Sequence, residues 1–161
     1  MNTVILKNSR SFATPGMPVS LANWITWHGD CEPLPREKMA FESALALFAD
    51  AFNSNPKDGK LCSVCIILLS TPNFSIEMDD PAVLGNTVRM LVFPLYTWRK
   101  HNLSDHAMLV CILEELCHIF FSESSEENVK SYVVDCIRQA LPDVQEADVY
   151  NQNYMPDVQN S

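Results

Sequence analysis

The sequence has few basic residues and no cluster of them. Lysine and arginine together number 11, against 20 aspartates and glutamates, which gives a formal net charge of −9. Proteins bind a nucleic-acid backbone largely by placing basic side chains against phosphates and releasing counterions. The composition therefore predicts a chain that binds no nucleic acid.

Long hydrophobic runs are also absent. No window approaches the roughly 18 uninterrupted apolar residues that a helix needs to span a bilayer. Residues Met1–Lys7 show no basic stretch followed by an apolar core and a small-residue cleavage site, as a secretory signal peptide would. We therefore predict a cytoplasmic protein without a membrane partner. Its six cysteines, mostly in apolar surroundings, are expected to be free thiols.

The chain is long enough for one domain with a real core. It has 161 residues, of which 47% are hydrophobic, and two domains would not fit comfortably in this length. We predict a single domain over residues 1–142. The remainder, residues 143–161, is polar and rich in Asn, Asp and Gln, which predicts a flexible tail.

Apolar residues at helical spacing predict three principal helices. Ser104 is the predicted N-cap of the second helix, and the spacing of Ser124 and Glu127 is that of a capping box at the start of the third. Asn, Gly and Pro residues terminate the first and third helices. The predicted helices cover residues 35 to 53, 104 to 121 and 124 to 141.

Short segments rich in β-branched and aromatic residues predict the strands. A continuous apolar run, Leu61–Leu69, indicates a buried strand, and Phe74–Met78 is expected to pair beside it. Pro94 indicates an edge position or a bulge in the last strand. The other predicted strands are Thr3–Leu6, Val19–Trp27 and Thr87–Trp98. The pattern predicts an α+β fold, with a small mixed sheet and three principal helices.

Two carboxylates and an imidazole lie inside the almost wholly apolar run Ile112–Phe121. Burying such groups without a partner or a metal costs several kcal/mol each, roughly. On a helix, the side chains of Cys111, Glu114, Glu115 and His118 fit within an arc of about 100°. The spacing therefore predicts a functional site on one face of the second helix.

The segment Glu114-Glu115-Leu116-Cys117-His118 resembles the His-Glu-x-x-His motif of zincin metallopeptidases, with Glu in place of the first His. The order of helices and strands is also similar to that of a minimal zincin. The resemblance implies that His118 is a zinc ligand and that Glu114 occupies the place of the first ligand. It implies that Glu115 is the general base that activates a metal-bound water.

A third ligand in this family comes from downstream of the motif. The resemblance makes Glu126 and Glu127, in the first turn of the third helix, the candidates, with Glu123 and Asp135 as further ones. The implied function is a metal-dependent hydrolase of peptidase type, which uses zinc and acts on a peptide or protein substrate.

Other interpretations of the same residues remain open. In a non-catalytic zincin-like scaffold that binds a protein partner, the motif would survive as a buried polar network. Glu114 or Glu115 would then pair with Arg89 or Arg99, and His118 would hydrogen-bond a backbone carbonyl. The Glu-x-x-His spacing also fits ferritin-like di-iron bundles, but that fold needs a second such motif and four long helices.

Overall fold

The computed structural model describes residues 4–6, 9–54, 59–73, 75–78 and 89–151. The strands are β1 (Val4–Leu6), β2 (Ile25–Gly29), β3 (Val64–Leu69), β4 (Ile76–Met78) and β5 (Arg89–Pro94). The helices are α1 (Val19–Ala22), α2 (Pro35–Ser54), α3 (Leu95–Lys100), α4 (Asp105–Phe120), α5 (Glu126–Arg138) and α6 (Glu146–Val149). The predicted α+β class is confirmed, and α2, α4 and α5 are the three principal helices.

The strands form two sheets rather than one mixed sheet. Strands β2, β3 and β5 make a parallel sheet with β3 in the centre, while β1 and β4 form an antiparallel pair. The predicted pairing of Phe74–Met78 beside the buried strand is therefore wrong, because Ile76–Met78 pairs with β1. All six residues of β3 are buried, as expected for a central strand with neighbours on both sides.

The parallel sheet carries the core on one face. Ile66 and Leu68 of β3 belong to the same apolar cluster as the buried faces of α2 and α4, whereas Ile67 points to the opposite face and packs with Cys65 and Leu69. This alternation follows from the two-residue period of a strand. Helix α4 lies against α2, and α5 packs against α4. Among the described residues no helix has the length and hydropathy needed to cross a membrane.

Each of two predicted strands contains residues of a short helix that its composition did not indicate. Val19–Ala22 forms α1, and a turn in which Trp24 N donates to Leu21 O (2.9 Å) separates it from β2. At the other end, β5 stops at Pro94, which is on an edge strand of the sheet as predicted. Leu95 and Trp98 are then buried three positions apart on α3. Residues 87 and 88 lie outside the described ranges.

Helix ends agree with the sequence in one case and differ in another. Ser104 caps α4 as predicted, since its hydroxyl accepts from Ala107 N (3.0 Å). The cap of α5 is Ser125 instead of Ser124, with its hydroxyl accepting from Asn128 N (3.5 Å). The predicted tail contains α6, whose Val149 is buried, so this part packs onto the domain. Residues 152–161 lie outside the described residues.

Candidate functional site

The polar groups of α4 lie on the helix face turned away from the core. The buried side chains, which occupy most of the circumference, are Ala107, Met108, Val110, Ile112, Leu113, Leu116, Cys117 and Phe120. Cys111, Glu114 and His118 are partly buried, and Glu115 is exposed. The apolar run is thus an amphipathic helix with a narrow polar face, and Glu115 bears no burial cost. The prediction of a site on this helix rests on the free-energy cost of burying charged groups, and for Glu115 that cost is absent.

His118 stabilises the turn between α4 and α5. Ser122 has a φ of 52°, and Glu123 N donates to His118 O (3.2 Å), the backbone arrangement of a Schellman motif. The ring adds a second bond to the same turn, since its Nδ1 donates to Glu123 O (2.8 Å). The interpretation in which His118 bonds a backbone carbonyl therefore describes the observed geometry.

The other ring nitrogen of His118 faces a carboxylate. Its Nε2 lies 3.6 Å from Glu126 Oε1, at the start of α5. In the neutral ring, donation from Nδ1 leaves the lone pair on Nε2. This is the orientation that metal-binding histidines adopt when a backbone carbonyl holds the opposite nitrogen. His118 and Glu126 are thus two predicted ligands that the fold brings together.

Glu114 lies beside a residue from the predicted tail. Burial, and after it the charge and hydrogen bonding of the Glu114 carboxylate, raises the pKa of the Tyr150 phenol. Lys130 Nζ lies 5.2 Å from the centroid of the Tyr150 ring. Glu114 therefore takes part in holding the segment after α6 against α4, a role that spacing within α4 could not indicate.

Cys117 of α4 meets a second thiol across the helix interface. Its side chain interacts with that of Cys136 on α5, and both residues are buried. The contact with Cys136, followed by burial, raises the pKa of Cys117, so this thiol keeps its proton at neutral pH. The two positions are 19 residues apart in the sequence, and neither was predicted to face the other.

Among the predicted zinc ligands, His118 and Glu126 lie close together, and the others have different surroundings. In the described ranges, no group of three or more His, Cys, Asp or Glu side chains is placed to hold a metal ion. Glu115 and Glu127 are exposed, and Glu114 adjoins Tyr150. A structural or catalytic zinc site takes three or four protein ligands. Of the predicted ligands only part of such a set is brought together, and zinc binding stays a prediction.

The most buried charge among the described residues lies elsewhere in the fold. Glu37 on α2 is paired with Arg99 on α3 through two hydrogen bonds of 2.8 Å, and the Glu37 side chain is only 3% exposed. Leu34 N also donates to this carboxylate (2.7 Å). The hydrogen bond with Glu37 raises the pKa of the Arg99 guanidinium. The suggested pairing of Arg99 with Glu114 or Glu115 is thus not the one observed, and no local signal joins positions 62 residues apart.

Open cavities border the helices, and two of them lie against α2. The first, of about 250 Å³, lies between α2 and α4 and is lined mainly by apolar atoms of Met39, Ala40 and Leu109. Met39 is 65% exposed. The second cavity, of about 260 Å³, lies between α2 and α5, where Tyr132 and Cys136 contribute to its lining.

Comparison of the chain with protein-family models, with curated proteins and with solved structures found no match. The zincin resemblance therefore rests on the motif and the order of elements alone. The inference of function has to start from the contacts described above.

Proposed function

We propose that this chain is a non-catalytic binding domain that recognises a protein partner. In this proposal Glu114 and His118 are structural groups, and Glu115 is a solvated surface residue. The proposal corresponds to the scaffold interpretation of the motif, without requiring that the fold be that of a zincin.

One observation carries the proposal: the three polar side chains of the motif have different neighbours. His118 bonds the turn after α4, Glu114 adjoins Tyr150, and Glu115 faces solvent. General acid–base chemistry needs a base and its target group within hydrogen-bonding reach of one reacting molecule. Separate structural contacts for the first two groups favour a role in stability over a role in catalysis.

The cavity between α2 and α4 supports the binding role. Two helices flank an apolar floor, which is the geometry in which an amphipathic segment of a partner docks. Because the chain carries a net charge of −9, a partner with basic residues beside its apolar anchors is favoured by charge complementarity. We therefore infer a protein segment with apolar anchors and positive charge as the occupant.

A zinc-binding measurement on three proteins tests the non-catalytic role. The wild type, His118→Ala and Glu115→Gln are dialysed against zinc and their metal content is measured. We expect no stoichiometric zinc in any of them. His118→Ala should lower the free energy of unfolding by about 1 kcal/mol, because the bond to Glu123 O is lost. Glu115→Gln should change it by less than about 0.5 kcal/mol.

Binding at the cavity is tested with a synthetic amphipathic helix that carries leucines on one face and lysines on the other. We expect Met39→Ser to weaken its affinity by about tenfold, since one buried apolar side chain is lost from the contact. Val19→Ser is the matched control, because Val19 is also highly exposed but lies on α1. Equal affinities for both variants in fluorescence titrations would contradict binding at this cavity.

The metal-dependent peptidase that the resemblance implies is the second candidate. The observation that favours it is the His118–Glu126 pair, in which Nε2 faces a carboxylate 3.6 Å away while Nδ1 is held by a carbonyl. One zinc ion per wild-type chain, absent from His118→Ala, would favour this candidate and overturn the first. Loss of peptidase activity with retained zinc in Glu115→Gln would then support Glu115 as the base.

A cytoplasmic location is part of the proposal. All six cysteines lie in the described residues and none is in a disulfide there, which is the usual state in a reducing compartment.

A further inference from the structure

We propose that the cavity between α2 and α5 is a binding site for a free amino acid with an aromatic side chain. The apolar part of the cavity holds that side chain, and Asp135 and Arg138 at its mouth hold the ammonium and carboxylate groups. This inference does not rest on the proposed protein-binding function, which uses the other cavity, between α2 and α4.

One face of α5 forms a wall of the cavity. Four of its lining residues follow the i, i+3, i+4, i+7 spacing of a single helix face: Tyr132, Asp135, Cys136 and Gln139. Ala51 and Ser54 line the cavity from the last turn of α2. Because α2 and α5 pack against each other, the cavity is already formed before a ligand enters.

Aromatic rings supply much of the apolar lining. Phe121, directly after α4, and Tyr132 both line the cavity, and their rings are stacked with centroids 4.5 Å apart and planes 18° apart. Phe48 and Phe52 of α2 each lie 5.9 Å from the Phe121 ring, so that ring has neighbours that hold it in place. Contacts between aromatic rings contribute more than their buried area alone. The lining therefore favours a ligand with an aromatic side chain.

A pair of opposite charges lies at the mouth of the cavity. Arg138 Nη1 donates to Asp135 Oδ1 (3.0 Å), and the two side chains are 40% and 56% exposed. Arg138 Nε donates to Val144 O (3.2 Å), which fixes the orientation of the guanidinium. Within the described part of the chain, Arg138 Nη2 and Asp135 Oδ2 take part in no hydrogen bond. A donor and an acceptor on adjacent side chains are therefore open to a ligand.

The ligand that matches this pair carries both charges side by side. In an α-amino acid a single carbon atom separates the ammonium and carboxylate groups, so the ammonium can donate to Asp135 Oδ2 while the carboxylate accepts from Arg138 Nη2. The C-terminal ends of α2 and α5 also border the cavity, and their partial negative charge favours the ammonium group. The cavity volume of about 260 Å³ suits a molecule of about 12 non-hydrogen atoms, such as phenylalanine.

Calorimetric titration of the full-length protein with L-phenylalanine tests the site. We expect saturable binding of one molecule per chain. Three related compounds each lack one group: phenethylamine has no carboxylate, 3-phenylpropionate has no ammonium group, and L-alanine has no ring. Each should bind at least about tenfold more weakly than phenylalanine, because each loses one of the three contacts.

Two variants assign the charged groups. Asp135→Asn should weaken phenylalanine and phenethylamine binding by about tenfold without weakening 3-phenylpropionate, and Arg138→Gln should weaken phenylalanine and 3-phenylpropionate without weakening phenethylamine. Asp105→Asn is the matched control, because Asp105 is also an exposed carboxylate paired with an arginine, Arg36, but lies at the other cavity. It should bind phenylalanine as the wild type does.

Three results would overturn the proposal. The first is a wild-type protein that shows no saturable binding of phenylalanine up to about 10 mM. The second is an equal affinity for phenylalanine and phenethylamine, since the carboxylate would then make no contact. The third is an equal loss of affinity in Asp135→Asn and Asp105→Asn, which would place the ligand outside the cavity between α2 and α5.

Discussion

Phe41→Ala is expected to lower the free energy of unfolding by about 4 kcal/mol, the largest effect of any single change considered for this chain. Phe41 lies on α2 with no exposed surface, and its ring has three aromatic neighbours. The ring centroids of Phe93, Trp27 and Trp98 are 5.1, 5.3 and 5.9 Å away. Removing the ring loses its burial and leaves a cavity that rigid aromatic neighbours cannot fill.

Urea unfolding followed by tryptophan fluorescence measures this loss, since Trp27 and Trp98 report directly on the cluster. Met39→Ala is the matched control, because Met39 is two residues away on the same helix and mostly exposed. We expect it to cost less than about 0.5 kcal/mol. Similar costs for the two variants would mean that α2 presents a different face to the sheet.

Arg99→Ala is expected to cost about 3 kcal/mol, although Arg99 itself is about one-third exposed. The loss arises from its partner: the Glu37 carboxylate would stay buried, with only the Leu34 N–H bond remaining among its described contacts. A buried charge that loses its partner costs far more than an exposed ion pair is worth. The contact also holds α3 against the start of α2.

A double variant separates charge from packing in this prediction. Adding Glu37→Gln to Arg99→Ala should recover part of the lost stability, because the unpaired charge is removed. Asp135→Ala is the control, since it removes only the exposed ion pair with Arg138 and leaves the Arg138 bond to Val144 O in place; such pairs contribute less than about 1 kcal/mol. No recovery on adding Glu37→Gln would show that the Arg99 contribution comes from side-chain packing and not from pairing with Glu37.

The elements that were predicted well are those in which local pattern and tertiary environment agree. The apolar period of α2 and α4 predicted both helices, and the Ser104 cap of α4 needs only residues three positions apart. The continuous apolar run of β3 predicted a buried strand correctly, because a central strand must be apolar on both faces. Each of these sequence patterns lies within about 20 consecutive residues.

The errors fall where two distant segments decide the outcome. Val19–Ala22 and Leu95–Trp98 have strand-like composition, but they form helices beside turns that the sheet and core require. The pairing of β4 with β1 joins segments about 70 residues apart. Strand propensity expresses how well a side chain fits a half-buried surface, so composition alone does not decide the conformation of such short segments.

The candidate site also has a local feature that the sequence predicted and long-range contacts that it did not. Helical spacing correctly places Glu114, Glu115 and His118 on one face of α4, since this depends only on the helix period. Spacing does not predict whether neighbouring segments cover that face. In the structure Glu115 is exposed, Glu114 adjoins Tyr150, and His118 bonds the turn at Glu123. The metal-site hypothesis depended on convergence with residues after α4. In the described part of the chain, the Glu126 carboxylate lies 3.6 Å from His118 Nε2, while the Glu123 carboxylate accepts from Ser125 N and Asn128 Nδ2.

Periodicity and composition are local properties, and they were enough to predict the fold class, the three principal helices, the central buried strand and the acidic character of this protein. Which charges are paired, as with Glu37 and Arg99, and which backbone group holds His118 depended on the tertiary structure. Burial and electrostatic interaction depend on distance in space. Chain folding brings residues together at separations that no sequence pattern encodes.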